Sequence, residues 1–428
     1  MERKNGNERS DSRRVREFLL RCLRSSADGT PEERLAPPAG FTPGDWAAFF
    51  DEAYRQDVAP LIHRRLAALV PAESVPDPIS RRFRAEYFRT SAVNMRFYAD
   101  LRAVLLAFRA AGIPSVVLKG AYLAEAVYRD IGARAMQDVD LLVRKSDLEA
   151  VHSILTRAGF ATWEYTRTID RDDLSEWRYQ HRTTRSLFEI HWNILSEGLP
   201  FRVDLDELWR ASVPARLAGV ETQVFMPADQ VIHLCAHAAT HLYNMGLRVL
   251  TDIDFIARRL QDGLDWEKVQ ERALRWRTAR CTYLTLRLAR ELLQSPIPDG
   301  LLRALAPDGD ASAYLEAAKD VIFSGRAGKA DRPALDPRIA CFLGIESRKG
   351  RLLHFLRRAF PPPKVMAAAY PVNPRSPAVL AFYPHWIWVL VRLHAGSVWG
   401  LLLGRWRSPR RTQGGKKPWT LMNWLISS

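Results

Sequence analysis

The stretch Val117-Leu118-Lys119-Gly120, followed by Gln137-Asp138-Val139-Asp140-Leu141-Leu142-Val143, decides the fold of the middle of this chain. The first run predicts a strand over 115–118, a turn at Lys119-Gly120 and a helix over 121–128. In the second run, side chains alternate between the two faces of a predicted strand. Asp138 and Asp140 therefore project from one face, while the apolar residues between and after them face a core.

A later segment, Phe188-Glu189-Ile190-His191-Trp192, predicts a second strand of the same kind. Glu189 and His191 lie on one face of it and the apolar residues on the other. If the two strands are neighbours, three carboxylates converge. Clustered carboxylates raise one another's pKa unless a cation neutralises them, and hard oxygen ligands favour Mg²⁺ or Mn²⁺. The other interpretation is a solvated edge strand, but the order and spacing of the segments favour a catalytic site.

The same segments contain a set of short motifs. They are a leucine-lysine-glycine turn, an arginine shortly before an aspartate-x-aspartate strand, and a glutamate-x-histidine-tryptophan strand. The matching residues are Leu118-Lys119-Gly120, Arg134, Asp138-Val139-Asp140 and Glu189-Ile190-His191-Trp192. This set resembles the uncharacterised nucleotidyltransferases of the polymerase-beta-like superfamily. The resemblance covers roughly residues 101–254, little more than a third of the chain.

The resemblance implies a metal-dependent transfer of NMP from an NTP to a hydroxyl acceptor. Asp138, Asp140 and Glu189 would be the catalytic carboxylates that hold Mg²⁺ or Mn²⁺. The acceptor is an unidentified small molecule, sugar, protein or RNA. The alternative is a protein with this fold that has lost catalysis and acts as a binding or scaffold protein at the membrane surface.

The resemblance also implies a nucleotide-binding set, made of Lys119, Gly120, Arg134 and His191. Ala121 replaces the serine or glycine that usually follows the glycine, so the phosphate-binding hydroxyl is missing. Backbone N–H groups after Gly120, together with Lys119, can still bind phosphate. Two other interpretations stay open: Lys119 as a snorkelling lysine at a strand end, and Arg134 as half of a surface ion pair with Asp130.

A helix is predicted from Pro227 to about Tyr243, closed by Gly246. Three histidines, His233, His237 and His241, recur on one face of it at four-residue spacing. This helix lacks the glutamate of a zinc-hydrolase motif between its histidines, so we interpret His237 and His241 as nucleotide-binding residues.

Two other residues, Arg248 and Asp252, are predicted to line the same cleft as these histidines. Simple packing of the histidines against the sheet is the alternative. An internal ion pair between Arg248 and Asp252 on one helix is equally compatible with the sequence.

The predicted fold class is α+β, with a small mixed β-sheet nucleotidyltransferase core flanked by N-terminal and C-terminal helical regions. Apolar periodicity and loop composition divide the chain into five parts. They are a disordered leader (1–16), an N-terminal helical region (17–95), the core (96–215), a helical domain covering the cleft (216–330) and a C-terminal helical and basic region (331–428).

Composition limits the remaining possibilities. Four cysteines in 428 residues, without a C-x-x-C pair, argue against a disulfide framework or a zinc ribbon and fit a cytoplasmic protein. The formal net charge of +15 suits an anionic partner, but no nucleic-acid-binding motif accompanies it. The apolar and then basic segment 386–417 predicts a buried or partner helix, or a peripheral contact with the anionic inner face of the membrane.

Overall fold

The computed structural model describes residues 2–24, 35–162, 175–195 and 200–323, together with short pieces between 356 and 425. A seven-stranded mixed sheet lies between helical regions that precede and follow it in the chain, which confirms the predicted α+β class. The apolar residues of these regions form one large buried cluster. A smaller cluster contains Met366, Val379 and Trp386.

Within the described residues, four α-helices precede the sheet. They are α1 (Glu2–Leu23), α2 (Pro43–Arg55), α3 (Ala59–Leu69) and α4 (Asp77–Ala110). α1 takes in nearly all of the residues 1–16 that the sequence predicts as a leader. α2 begins at a capping box, in which Thr42 and Asp45 satisfy each other's backbone N–H groups. Residues 81–110 belong to the single helix α4, because no proline or glycine interrupts it after Pro78.

The sheet contains seven short strands. They are β1 (Ser115–Val117), β2 (Val139–Val143), β3 (Phe160–Thr162), β4 (Glu176–His181), β5 (Leu187–His191), β6 (Val213–Leu217) and β7 (Val220–Val224). Their order is β3-β4-β5-β2-β1-β7-β6. β2 pairs with β5, and β1 with β7, in parallel, and the other neighbours are antiparallel. The two strands that carry the predicted acids are therefore neighbours.

Helices cover the sheet and continue beyond it. Within the sheet region lie α5 (Lys119–Tyr122), a π-helical turn (Leu123–Val127), α6 (Leu148–Arg157) and α7 (Leu205–Ala211). After it come α8 (Pro227–Thr240), α9 (Arg248–Arg259), α10 (Trp266–Arg275), α11 (Ala279–Leu293), α12 (Asp299–Ala304) and α13 (Ser312–Phe323). α8 ends before the predicted Tyr243 because Leu242 and Tyr243 adopt left-handed backbone angles.

The structure bears only in part on the predictions about the cysteines, the segment 386–417 and the domain boundaries. Three of the cysteines, Cys22, Cys235 and Cys281, are buried and free. The segment 386–417 lies outside the described residues except for its first three positions. Among the residues that are described, no helix has the length and apolar character needed to cross a bilayer. The five domain boundaries stay predictions.

Candidate active site

The turn after β1 places Lys119 beside the sheet. Lys119 has a φ of 40°, in the left-handed region that a residue with a Cβ seldom occupies. The N–H of Leu118 donates to the carbonyl of Asp140 at 3.0 Å, which ties the turn to β2. The left-handed conformation thus falls on Lys119 and not on the glycine after it. Strain of this kind persists only where surrounding contacts hold the backbone.

Gly120 is required for a different reason, the close approach of other side chains. A Cβ at this position would lie 3.0 Å from Nη1 of Arg134 and 3.4 Å from Cγ of Met136. The glycine therefore makes room for Arg134. The helix predicted to follow it begins at Lys119, as α5, and changes to π-type hydrogen bonding at Leu123.

Asp140, the second residue of β2, receives two polar contacts on one oxygen. Nζ of Lys119 donates to Oδ1 at 2.8 Å, and Nε2 of His191 lies 2.9 Å from the same atom. All three side chains are buried. The contact between Asp140 and His191 joins β2 to β5, so side chains from both strands and the turn meet at one carboxylate.

Glu189 is the direct neighbour of Asp140 across the sheet. The parallel register of β2 and β5 pairs Asp140 with Glu189. Oε2 of Glu189 lies 3.7 Å from Nε2 of His191, and Oε1 lies 2.9 Å from Nε of Arg178. Asp140, Glu189 and His191 each offer a ligand atom within 4.8 Å of the others. Among the described residues, no other group of three or more has this arrangement.

Asp138 lies just before β2 and is half-buried. It acts on Lys119 and Asp140 through its charge, but the tight group contains His191 in its place. The sequence predicted a trio of carboxylates. The structure brings together two of them and an imidazole, with Asp138 as a nearby acid, because the short β2 begins only at Val139.

The electrostatics of this cluster are dominated by burial and crowding. Burial raises the pKa of Glu189 to about 7, with further contributions from Glu176, Asp140 and Asp138. Burial and Asp140 also raise the pKa of Asp138. Burial would raise the pKa of Asp140 too, but Lys119 and His191 lower it well below the usual range. The cluster holds more acid than its own cations neutralise.

Two functional candidates on β4 were not predicted from the sequence. Glu176 pairs in register with His191, and Arg178 with Glu189. Oε2 of Glu176 lies 3.5 Å from Nδ1 of His191, so it faces the ring nitrogen opposite to the one near Asp140. The signal in the sequence was the alternation Glu176-Trp177-Arg178-Tyr179, in which the aromatic residues are buried. Only the strand order shows that its polar face meets the acids.

Arg134 makes a buried, bidentate ion pair with Asp252 of α9. Its Nε and Nη2 donate to the two carboxylate oxygens of Asp252 at 2.7 and 2.8 Å, and both side chains are buried. The alternative partner considered above, Asp130, pairs with Arg64 instead. The internal pair of Arg248 with Asp252 is also absent, because Arg248 donates to the carbonyl of Ala135. This pair ties the segment before β2 to α9 through Nε and Nη2, and Nη1 takes no part in it.

His233 and His237 of α8 and His241, which directly follows that helix, lie in a row. The ring centroids of His233 and His237 are 6.3 Å apart, and those of His237 and His241 are 4.6 Å apart. Burial, and then the charge of Lys119, lower the pKa of all three, for His241 to about 4. They are therefore neutral at physiological pH. The influence of Lys119 places this row near the acid cluster.

The acid cluster fits a divalent cation. Asp140 and Glu189 supply the carboxylate oxygens that Mg²⁺ and Mn²⁺ prefer, and Asp138 adds negative charge beside them. His191 adds a nitrogen donor, which suits Mn²⁺ better than Mg²⁺. A bound cation would relieve the crowding that raises the pKa of Glu189.

Comparison with known proteins identifies a family for this chain. The model of a family described as "uncharacterised nucleotidyltransferase" matches residues 42–294, more than half of the chain. A solved structure of the antibiotic-resistance factor ANT(2'')-Ia aligns with 46% of this chain and 98% of its own, at 13% identity and a TM-score of 0.32. No curated protein sequence matches.

Proposed function

Because the chain belongs to this family of uncharacterised nucleotidyltransferases, we propose that it transfers NMP from an NTP to a hydroxyl acceptor in a reaction that needs Mg²⁺ or Mn²⁺. One observation carries the proposal. Asp140 and Glu189 stand opposite each other on parallel neighbouring strands, with ligand atoms close enough for one ion. Acids retained in this arrangement favour a working enzyme over a scaffold protein.

Asp138, Asp140 and Glu189 would hold the metal. When bound, divalent cations acidify an attacking hydroxyl and neutralise the charge that grows on the leaving pyrophosphate. Glu189, whose pKa is raised to about 7, is the stronger acceptor for the proton that the acceptor hydroxyl loses, and Asp140, with its lowered pKa, is the alternative. His191, held between Asp140 and Glu176, fixes the orientation of the Asp140 carboxylate.

Lys119 and Gly120 form the phosphate side of the proposed site. Lys119 contacts Asp140 now, and a metal on that carboxylate would free its ammonium group to contact the triphosphate. Backbone N–H groups after Gly120, in the short helix α5, would donate to phosphate oxygens. The neutral His237 and His241 would lie against the base or ribose.

Arg134 has two roles in the proposal. Its predicted contact with the nucleotide is kept, because Asp252 accepts only from Nε and Nη2 and leaves Nη1 outside the ion pair. We also assign it the positioning of Gly120, since Nη1 lies only 3.0 Å from where a Cβ on that residue would be. The membrane-surface role of 386–417 finds no support in the described residues.

The test is incubation of the full chain with each labelled NTP, Mg²⁺ or Mn²⁺, and cell extract. We expect pyrophosphate release and a labelled acceptor, identified by mass spectrometry, with wild type. Asp138→Ala/Asp140→Ala should abolish both. Asp206→Ala, which removes an exposed carboxylate paired with Arg144, is the matched control and should act like wild type. Equal labelling by all three proteins would disprove the proposal.

A further inference from the structure

The outer face of α4 carries an apolar stripe on a helix that is otherwise well packed. Phe88, Met95 and Leu106 are 55%, 63% and 45% exposed. Small exposed residues lie between them, and the spacing alternates between three and four residues from position 85 to 99. The outer stripe, as we name it, consists of Ala85, Phe88, Ala92, Met95, Ala99 and Leu106. Such spacing is typical of a seam that packs against another helix.

The stripe is held rigid from behind. On the opposite face of α4, the buried Asn94 donates to the carbonyl of Arg134 at 2.8 Å, and the hydroxyl of Tyr98 donates to that of Ala121 at 2.6 Å. Phe83 and Leu101 are fully buried on the same side. A partner would therefore meet a preformed surface, which lowers the entropic cost of binding.

The charge beside the stripe has one sign. Arg81, Arg84 and Arg96 are exposed, and no acidic side chain of the described residues pairs with them. The acids of α4 near the stripe are already engaged, since Glu86 pairs with Arg89 and Asp100 accepts from Thr184. A second copy of this face would set arginines against arginines. Charge complementarity instead favours an acidic occupant.

We propose that the outer stripe of α4 binds an amphipathic helix of a partner protein whose apolar seam is flanked by Asp or Glu. The alternation of alanine with larger side chains lets a second helix approach closely, with the larger residues filling gaps. Alanines contribute little to insertion into a bilayer, so the pattern favours a helix over a lipid surface. This inference is independent of the proposed catalysis.

A synthetic helical peptide is the probe, with alanine and leucine along its seam and glutamate at both flanks. We expect the full chain to bind it, and Phe88→Asp/Met95→Asp to weaken binding at least about tenfold. Raising the salt to about 0.5 M should weaken it as well. Leu274→Asp is the matched control, because Leu274 is 52% exposed on α10, and it should bind as wild type does.

Three further measurements define how the proposal can fail. The same peptide with lysine flanks should not bind, and equal binding of both peptides would overturn the charge argument. Binding to phosphatidylglycerol vesicles that needs Phe88 and Met95, without peptide binding, would identify a membrane surface instead. A dimer in sedimentation that Met95→Asp dissolves would identify a second copy. NTP binding should be unchanged in every variant, and absence of any peptide binding would overturn the proposal.

Discussion

Two buried ion pairs beside the sheet differ in how their charges are balanced. Arg134 and Asp252 match one cation with one carboxylate through two parallel hydrogen bonds, with 6% and 2% of their side chains exposed. Lys119 and Asp140 share a single contact of 2.8 Å. Around that second pair lie three more acids, Asp138, Glu176 and Glu189, and they outnumber Arg178 and His191, the basic side chains that contact them.

This difference in charge balance indicates which ion pair stabilises the fold and which can bind a ligand. A balanced bidentate pair satisfies itself, so removing one partner leaves a buried charge and destabilises the fold. An unbalanced cluster is stabilised only when a ligand supplies the missing charge. Arg134 and Lys119 belong to the same set of sequence motifs. The charge balance around each one indicates that the first pair stabilises the fold and the second belongs to a binding site.

The largest effect should follow from breaking the balanced pair. Arg134→Met leaves the Asp252 carboxylate buried without its cation, and we expect the free energy of unfolding to fall by about 3–5 kcal/mol. Urea denaturation followed by circular dichroism measures this. The double variant Arg134→Met/Asp252→Leu removes both charges and should recover most of the loss. If the single variant is as stable as wild type, the pair has no structural role.

The unbalanced cluster should respond to metal instead. Saturating Mg²⁺ or Mn²⁺ should raise the melting temperature of wild type, by a free energy of about 2.7 kcal/mol at a hundredfold excess over Kd. Asp140→Asn/Glu189→Gln should abolish the shift, while Arg134→Met should melt earlier but keep it. Differential scanning calorimetry with a chelator as the reference separates the two behaviours. A metal-induced shift retained in the double variant would place the cation elsewhere.

A methyl group added at Gly120, which lies between the two ion pairs, should have an intermediate effect on the free energy of unfolding. Gly120→Ala puts a Cβ 3.0 Å from Nη1 of Arg134, which Asp252 holds in place. Overpacking of this kind costs about 1–3 kcal/mol of unfolding free energy. Gly300→Ala is the matched control, since nothing lies within 4 Å of the added Cβ. Equal stability of both variants in urea would show that Arg134 can move aside.

The smallest effect concerns pH. The pKa of His241 falls from 6.5 to about 4 on folding, through burial and then the charge of Lys119. As the pH falls through that window the unfolded chain binds the proton first, so this contribution is present above pH 6.5 and is lost toward pH 4. His241→Gln should therefore show a shallower loss of unfolding free energy between these limits. Identical slopes for the two proteins would contradict the assignment.

The sequence identified the right strands but not all of their neighbours. Alternation placed Glu189 and His191 on one face, and the register of β5 against β2 agrees with it. The sequence does not predict a site role for Glu176 and Arg178, because the alternation around them resembles that of any solvated strand. Their importance comes from β4 lying next to β5, a pairing between segments that no local pattern encodes.

Some expectations changed because long-range contacts compete with local ones. A spacing of four residues made Arg248 a plausible partner for Asp252, yet Arg134 reaches that carboxylate from 118 residues away. The buried guanidinium of Arg134 donates to both oxygens of Asp252. This bidentate contact is more favourable than a single exposed contact from Arg248 on the same helix would be. The row of His233, His237 and His241 was predicted from helical spacing, and the structure retains it although His241 lies just after the end of α8.

The sequence by itself determined the α+β class, the strands that carry the acids and the glycine at the turn, because strand alternation and backbone propensities act over a few residues. Only the tertiary structure decided which acids share a cation-sized space, that Lys119 takes the left-handed conformation, and that Arg134 belongs to Asp252. Those outcomes depend on distances between segments far apart in the chain. Side-chain packing and charge compensation set these distances. Both depend on contacts that exist only when the whole core has formed.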